Sequence, residues 1–385
     1  MIKKSFLILA LVPIIFLSCA KVSGHGMLTL ILSGSVRGQL DPCGWKKNPL
    51  GGLSRRFVKI NEMIESGADP IILDAGDLFF STAKINSDNR ESEYFRAQAI
   101  LDGYSRIGCD LINIGHYELL GGISFLNTMF EKYKIPFISA NLRSIETDDL
   151  LFDPYKIINK NGFNIGVIGV TDKLPDTCKT IIADDFIDIG KKYISELKQK
   201  VDIVVILVNA ERAKQEELVD HFAEADFIAT SGSTNLTRPK SSQKEGGPYL
   251  YSLGKQGKYL SVLDIELNDV SEPILDVSSH QTNIKSIVKR LDRLQKKDPK
   301  KDIRDIYADQ KNVLKLIDQY EDELHELKVL FDSAVNRVNY QTLALNKKIQ
   351  DNEEILSFVN ASLSTCNSLN PKSTNKKAHD HKKSK

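Results

Sequence analysis

The chain has 385 residues, of which 41% are hydrophobic and 27% charged, and its formal net charge at pH 7 is +1. That length accommodates one large domain with an appendage, and the balanced charge gives no bulk electrostatic reason to expect a nucleic-acid partner. Five cysteines in a chain this long are too sparse for a disulfide framework. A bridge between Cys43 and Cys178, which both fall in predicted loops, stays open.

The N-terminal residues predict an export signal. A basic start precedes an apolar run from Phe6 to Leu17, which is shorter than the roughly 20 residues that span a bilayer. Phe16-Leu17-Ser18-Cys19 resembles a bacterial lipobox. We therefore predict a signal peptide over residues 1–18, a lipidated Cys19 in a linker to residue 27, and a lipid-anchored location in the bacterial cell envelope, on its periplasmic face or outer surface. A plain signal peptide with an incidental cysteine is the alternative.

The region from residue 28 to 270 alternates short β-rich runs with amphipathic helical stretches, which predicts a layered α/β domain. Several runs are continuously apolar, as is typical of strands covered on both faces. The predicted strands are Leu28–Leu32, Pro70–Asp74, Leu111–Ile114, Phe137–Ala140, Ile165–Val170, Ile203–Val208, Phe227–Thr230 and Tyr259–Leu267. The predicted helices between them are Leu53–Ser66, Glu91–Ile107, Gly121–Tyr133, Ile189–Lys198 and Gln215–Glu224.

The composition changes towards the C-terminus. From Asp302 to Leu363 the chain contains neither glycine nor proline, and apolar residues recur at spacings of three and four, which predicts helices with a coiled-coil-like stripe. We expect a charged helical segment over residues 280–365, as one long helix or as a hairpin that folds back near Asn336–Tyr340. Its 302–363 helices are candidates for a protein partner or for self-association, and a disordered basic tail is predicted over residues 366–385.

Four landmarks between Leu28 and Leu267 carry a resemblance to a known family. They are Leu73–Phe79, Asn113–Glu118, Ser139–Leu142 and Gly166–Thr171. Their order and spacing resemble the calcineurin-like metallophosphoesterases, in particular the catalytic domain of bacterial 5'-nucleotidases. The resemblance implies a metallophosphoesterase β-sandwich flanked by helices over residues 28–270, with two divalent ions held at the strand ends.

The resemblance fails at the first metal-binding loop. Ser35 stands where the family has an aspartate, and Arg37 stands where it has a histidine. A guanidinium offers only donors and keeps its charge, so it cannot ligate a cation. The next family ligand is retained as Asp77, which the resemblance casts as a metal bridge. We favour the alternative that Asp77 forms an ion pair with Arg37.

The remaining family positions are also altered. His116 takes the place of an asparagine ligand, and Tyr117 takes the place of the histidine that acts as general acid, although a slip of one residue would make His116 the acid. Asn209 stands where the family has a histidine, and Ser231–Thr234 contains none. The expected cofactor is therefore none, or at most one divalent ion (Mn, Zn or Mg) held by Asp77, His116 and Asn209.

A cluster of arginines suggests a second kind of site. Gly51-Gly52 opens a helix that bears Arg55 and Arg56 in its first turn, and together with Arg37 these side chains are candidates for binding an anion. The alternative is that the arginines pair with nearby carboxylates.

These observations favour a membrane-anchored envelope lipoprotein with a non-catalytic binding or scaffold role, in contact with the membrane through Cys19 and with no nucleic-acid partner. Two other hypotheses stay open. One is an altered phosphoester hydrolase that uses a single divalent metal, and the other is a structural coiled-coil protein of the envelope.

Overall fold

The computed structural model describes residues 26–44, 47–241, 243 and 246–370. The predicted signal peptide, Cys19 and residues 371–385 of the predicted tail lie outside the described residues. In the ranges given, no helix combines the length and the apolar character that crossing a membrane requires.

The strands in the described ranges are β1 (Gly26–Ser33), β2 (Ile71–Asp74), β3 (Leu111–Asn113), β4 (Phe137–Ile138), β5 (Leu142–Ser144), β6 (Tyr155–Lys160), β7 (Phe163–Thr171), β8 (Ile181–Ala183), β9 (Ile203–Asn209), β10 (Phe227–Ser231), β11 (Tyr249–Ser252), β12 (Tyr259–Leu267), β13 (Ile274–Asp276) and β14 (Asn336–Ala344). The helices are α1 (Leu53–Glu65), α2 (Arg90–Ile107), α3 (Ile123–Tyr133), α4 (Phe186–Lys198), α5 (Leu218–His221), α6 (Ser278–Gln295), α7 (Ile303–Ile306), α8 (Lys311–Ser333) and α9 (Glu353–Ser368).

Two sheets face each other and form the centre of the domain. The larger has the strand order β13-β14-β12-β1-β2-β3-β4, and the smaller has the order β11-β10-β9-β7-β6. Apolar side chains from both, such as Leu30 and Leu207, form the core between them. Helices α1, α2, α3 and α9 cover the outer face of the larger sheet, and α4 and α5 cover the smaller. The predicted layered sandwich flanked by helices is confirmed.

The parallel strands bring their ends to one edge of the sandwich. β1, β2, β3 and β4 run parallel in one sheet, as do β7, β9, β10 and β11 in the other. All eight predicted strands are present, because their apolar runs are buried on both faces, as in β9. The candidate site residues follow these strands, so the fold collects them at this edge.

The prediction of a helical segment throughout residues 280–365, as one long helix or as a hairpin, is wrong in its middle. α8 and α9 are helical, but β14 lies between them and pairs with β12 and β13. Val338 and Tyr340 are buried in alternation with the more exposed Arg337, Asn339 and Gln341, which is the period of a strand. The chain folds back earlier than predicted, between α6 and α8, and these two helices pack against each other.

Two smaller corrections concern boundaries. The predicted helix Gln215–Glu224 is reduced to the four-residue α5, preceded by a 3-10 turn at Arg212–Gln215. The tail predicted from residue 366 begins inside α9, whose Cys366 is buried against the body of the domain.

Candidate functional site

The loops that follow β1, β2, β3, β7, β9 and β10 line a small cavity at the shared strand edge. Its volume is about 170 Å³, too small for a nucleotide-sized ligand by comparison with the ~300–1,000 Å³ of ordinary ligand pockets. The residues that line it are Arg37, Asp77, His116, Tyr117, Lys173, Asn209, Ala210, Glu211 and Gly232. The structure therefore brings together the three proposed metal ligands, both candidate acids and Arg37.

Asp77 is buried in this cavity, with 2% of its surface exposed. Its Oδ2 accepts a hydrogen bond from Nη2 of Arg37 at 3.1 Å. Its Oδ1 accepts from Nδ2 of Asn209 at 3.0 Å and from the backbone N–H of Tyr117 at 3.2 Å. Protein donors thus engage both carboxylate oxygens and compensate the cost of burying the charge.

Arg37 takes the cationic role beside Asp77, as predicted. Its side chain is 29% exposed, and the guanidinium carbon lies 4.4 Å from the centre of the Tyr117 ring, which is cation–π distance. Its backbone N–H donates to the carbonyl of Asp77 at 2.9 Å. Side chain and main chain together therefore hold the β1 loop against the β2 loop.

The backbone at this junction is in a conformation that L-residues rarely adopt. Ser35, Arg37 and Asp77 have φ values of 50°, 53° and 60°, in the left-handed region that costs energy for residues other than glycine. Ser35 Oγ accepts from the backbone N–H of Gly232 at 2.9 Å. The surrounding contacts hold Ser35, Arg37 and Asp77 in these conformations.

Asn209 uses its whole side-chain amide within the protein. Nδ2 donates to Asp77 and, at 2.7 Å, to Oγ of Ser231, while Oδ1 accepts from the backbone N–H of His116 at 3.0 Å. Gly115 permits this approach, because a Cβ there would lie 2.8 Å from the Asn209 side chain. The amide therefore joins the β3, β9 and β10 loops.

The two candidate acids lie at the mouth of the cavity. Nδ1 of His116 is 3.3 Å from the carbonyl oxygen of Lys173, close enough for a hydrogen bond when that nitrogen carries the proton. Burial raises the pKa of Tyr117 above its ordinary value, against the opposing effect of Arg37. Tyr117 is therefore an even poorer acid at neutral pH than an exposed tyrosine.

Glu118 is a central residue of this site that the sequence analysis did not single out. It is fully buried, and its carboxylate accepts backbone hydrogen bonds from Asp77 at 2.9 Å, Leu78 at 2.5 Å, Phe79 at 3.2 Å and Gly115 at 2.8 Å. Burial, followed by the charge of Asp77, raises the pKa of Glu118 to about 8, while the backbone donors act in the opposite direction. The sequence signal that could have identified Glu118 is its position as the last residue of the Gly115–Glu118 motif.

The donor set does not fit the two-metal centre that the resemblance implies. Arg37 places a fixed positive charge on Asp77, and the Asn209 amide turns its N–H group, not its oxygen, towards that carboxylate. Across the described ranges, no group of three or more His, Cys, Asp or Glu side chains could hold a metal ion. A cation at Asp77 would have to displace Arg37 and reverse the Asn209 amide.

Arg55 and Arg56 do not line this cavity. Arg55 Nη1 donates to the carbonyl oxygens of Pro49 at 3.0 Å and Leu345 at 3.3 Å, and its Nε lies 3.6 Å from Asp351. Arg56 is 3% exposed, with its guanidinium carbon 5.8 Å from the ring centre of Tyr104. The structure therefore does not assemble the three arginines into the anion site that the sequence suggested.

The two loop cysteines are free. Cys43 lies in a short bridge with Leu50, and the thiol of Cys178 donates to the carbonyl of Leu119 at 3.4 Å. Burial raises the pKa of both thiols. The disulfide between Cys43 and Cys178 that the sequence left open is not formed.

Removing the Arg37 guanidinium should show how much it contributes to stabilising the buried carboxylate of Asp77. We expect Arg37→Ala to lower the free energy of unfolding by about 1–2 kcal/mol, because Asp77 stays buried with one partner fewer. Arg37→Ala combined with Asp77→Asn should cost less than the two single changes added, in a double-mutant cycle by urea unfolding. The exposed pair Lys59–Glu62, changed in the same way, is the control and should couple by less than ~0.5 kcal/mol. Equal coupling in the two cycles would show that the Arg37–Asp77 pair has no special role.

Known proteins resemble this chain over part of its length. No protein-family model matches the chain. A 5'-nucleotidase of Vibrio cholerae is 32% identical over 172 residues, which are 41% of this chain and 30% of that protein. The chain spans less than half the length of the curated relatives that it matches first.

Solved structures share the fold. A 5'-nucleotidase precursor from Thermus thermophilus superposes with a TM-score of 0.61 at 16% identity, over 89% of this chain and 59% of that one. The calcineurin-like phosphoesterase YfkN from Bacillus subtilis superposes with a TM-score of 0.58 at 14% identity, over 89% of this chain and 98% of that one. The fold predicted from the four landmarks is confirmed.

Proposed function

We propose that this chain, a 5'-nucleotidase-like member of the calcineurin-like phosphoesterase superfamily, is a non-catalytic binding or scaffold protein of the bacterial cell envelope. The observation that carries the proposal is the Arg37–Asp77 pair, with Asn209 on the other oxygen of the same carboxylate. Two-metal hydrolysis needs carboxylate and imidazole lone pairs directed at the ions. Here two of the corresponding positions, Arg37 and Asn209, instead donate hydrogen bonds to the third, Asp77.

The envelope location is part of the proposal and rests on the signal-like N-terminus and Cys19. One lipidated residue would hold the domain beside a bilayer, since each buried methylene contributes about 0.8 kcal/mol. Labelling of cells with palmitate tests the anchor, and loss of the label in Cys19→Ser is the result that supports it.

The decisive measurement for the non-catalytic role is metal content. Residues 20–385, purified and dialysed against manganese and then zinc, should retain no stoichiometric ion by elemental analysis. The same preparation should hydrolyse AMP and p-nitrophenyl phosphate no faster than buffer does. The Vibrio cholerae 5'-nucleotidase, treated identically, is the positive control.

A second candidate is an altered phosphoester hydrolase with a single divalent ion. The observation in its favour is that Asp77, His116 and Asn209 line one cavity. Near-stoichiometric metal, together with hydrolysis abolished by both Asp77→Ala and Asn209→Ala, would establish this function and overturn the non-catalytic one. Metal retained unchanged in both variants would place the ion elsewhere.

A further inference from the structure

A helical hairpin extends from the edge of the larger sheet. α6 begins next to β13, and α8 returns the chain to β14. The two helices pack against each other through Ile287 and Ile317, which are 2% and 0% exposed. Because α6 has 18 residues, the hairpin is about 27 Å long at 1.5 Å per residue.

The far half of this hairpin, residues 285–304, carries a concentrated positive charge. We call this segment the hairpin tip. It contains nine lysines or arginines and three aspartates, a formal charge of +6, while the whole chain carries +1. The rest of the chain is therefore net negative, and the positive charge is gathered at one projecting end.

Two of the three carboxylates in the tip accept hydrogen bonds from backbone N–H groups. Asp298 accepts from the backbone N–H of Lys300 at 3.1 Å, and Asp302 accepts from that of Arg304 at 2.8 Å as the cap of α7. Arg304 is neutralised by two carboxylates of α8. Among the described residues, no carboxylate forms an ion pair with the other eight tip cations, which are all exposed: Lys285, Lys289, Arg290, Arg293, Lys296, Lys297, Lys300 and Lys301.

Hydrogen bonds within the turn between α6 and α7 hold its conformation. Gln295 Nε2 donates to the carbonyl oxygens of Asp298 at 2.9 Å and Lys301 at 2.8 Å. Tyr307 donates its hydroxyl to the carbonyl of Leu294 at 3.1 Å. A cleft of about 350 Å³ beside the turn is lined by Lys289, Asp292, Arg293, Gln295, Lys296 and Pro299. Three cations and one carboxylate therefore converge on a shallow, open cleft.

We propose that the hairpin tip is a membrane-contact site that binds the phosphate headgroups of anionic phospholipids. Unpaired lysines and arginines attract an anionic bilayer by about 1 kcal/mol each near the surface. The tip lies at the end of two packed helices, so its cations can meet a planar anionic surface together. The inference rests on the proposed envelope location but not on the absence of hydrolase activity.

Vesicle binding tests this proposal with residues 20–385, which retain every described element. The chain should co-sediment with vesicles of phosphatidylglycerol and phosphatidylcholine, but not with pure phosphatidylcholine, and high salt should release it. Charge reversal at three tip positions, Lys296→Glu, Lys300→Glu and Lys301→Glu, should weaken binding by roughly 100-fold or more. All three side chains are exposed, so thermal unfolding should not change.

The matched control carries the same total charge change outside the hairpin, at the exposed Lys156, Lys179 and Lys191. It should weaken binding far less, because screening limits attraction to charges near the bilayer. If the two triple variants weaken vesicle binding equally, binding depends only on net charge and the assignment to the hairpin tip is wrong. Failure to bind anionic vesicles would also overturn it, as would equal or tighter binding to duplex DNA or to an acidic protein. Metal and hydrolysis assays are independent of these outcomes.

Discussion

A chain that ends at Ser333 is expected not to fold, although it retains the whole region that the sequence assigned to the phosphoesterase domain. The truncation removes β14, which pairs with β12 along its length, from Tyr259 opposite Ala344 to Glu266 opposite Arg337. It exposes the edge of β12 and removes the buried Val338 and Tyr340. An unpaired apolar edge also favours aggregation.

The same truncation removes α9, which packs on α1 and α2. Its Ile355, Val359 and Cys366 are at most 3% exposed. Losing one large buried apolar side chain costs about 2–5 kcal/mol, and a domain is stable by only about 5–15 kcal/mol. The combined loss therefore exceeds the stability expected for the whole domain.

Circular dichroism and urea unfolding would measure the result. The chain that ends at Ser333 should show no cooperative transition, and a protease should digest it rapidly. A chain that ends at Asn370 keeps every described element and is the matched control, expected to unfold like the full chain. A cooperative transition in the shorter chain would show that residues 334–370 form a separable appendage.

Replacing Glu118 by alanine should lower the free energy of unfolding by about 3–5 kcal/mol, a large effect for one residue. Four backbone N–H groups donate to this carboxylate, and each buried donor left without a partner costs about 1–3 kcal/mol, less where water can enter. Glu118→Gln should cost less than alanine, because one acceptor oxygen remains, but its amide group would face two donors.

Urea unfolding of both variants gives the measurement, and Glu131→Ala provides the control. Glu131 is an exposed glutamate on α3, so its removal should change the stability by less than ~0.5 kcal/mol. The Glu118 variants should also loosen the β2 loop that carries Asp77, seen as faster amide exchange at Asp77, Leu78 and Phe79. Wild-type stability in Glu118→Ala would mean that water replaces the carboxylate at little cost.

The positive charge beside Asp77 comes from the protein itself, as the guanidinium of Arg37. Glu118 accepts hydrogen bonds from the loop that presents Asp77, and Ser35, Arg37 and Asp77 have left-handed backbone conformations. A guanidinium neutralises the carboxylate but cannot activate a water molecule as a bound metal ion does.

The sequence by itself determined the layered α/β fold and the eight predicted strands, and through the family resemblance it predicted that most metal ligands are replaced. These follow from local signals, since a buried strand is a short apolar run and a guanidinium cannot ligate a metal wherever it lies. The Arg37–Asp77 pair was also predictable, because both residues follow neighbouring strands of one sheet. Local chemistry and strand order were sufficient for these features.

Only the tertiary structure decided the role of β14, the placement of Arg55 and Arg56, and the contacts of Asn209 and Glu118. β14 alternates buried and exposed residues between two helical segments, and its partner β12 lies some 70–85 residues earlier in the chain. Asn209 meets Asp77 across 132 positions, and Arg55 meets Leu345 across 290. Periodicity reports only on neighbouring residues, whereas these contacts arise when distant segments pack against each other.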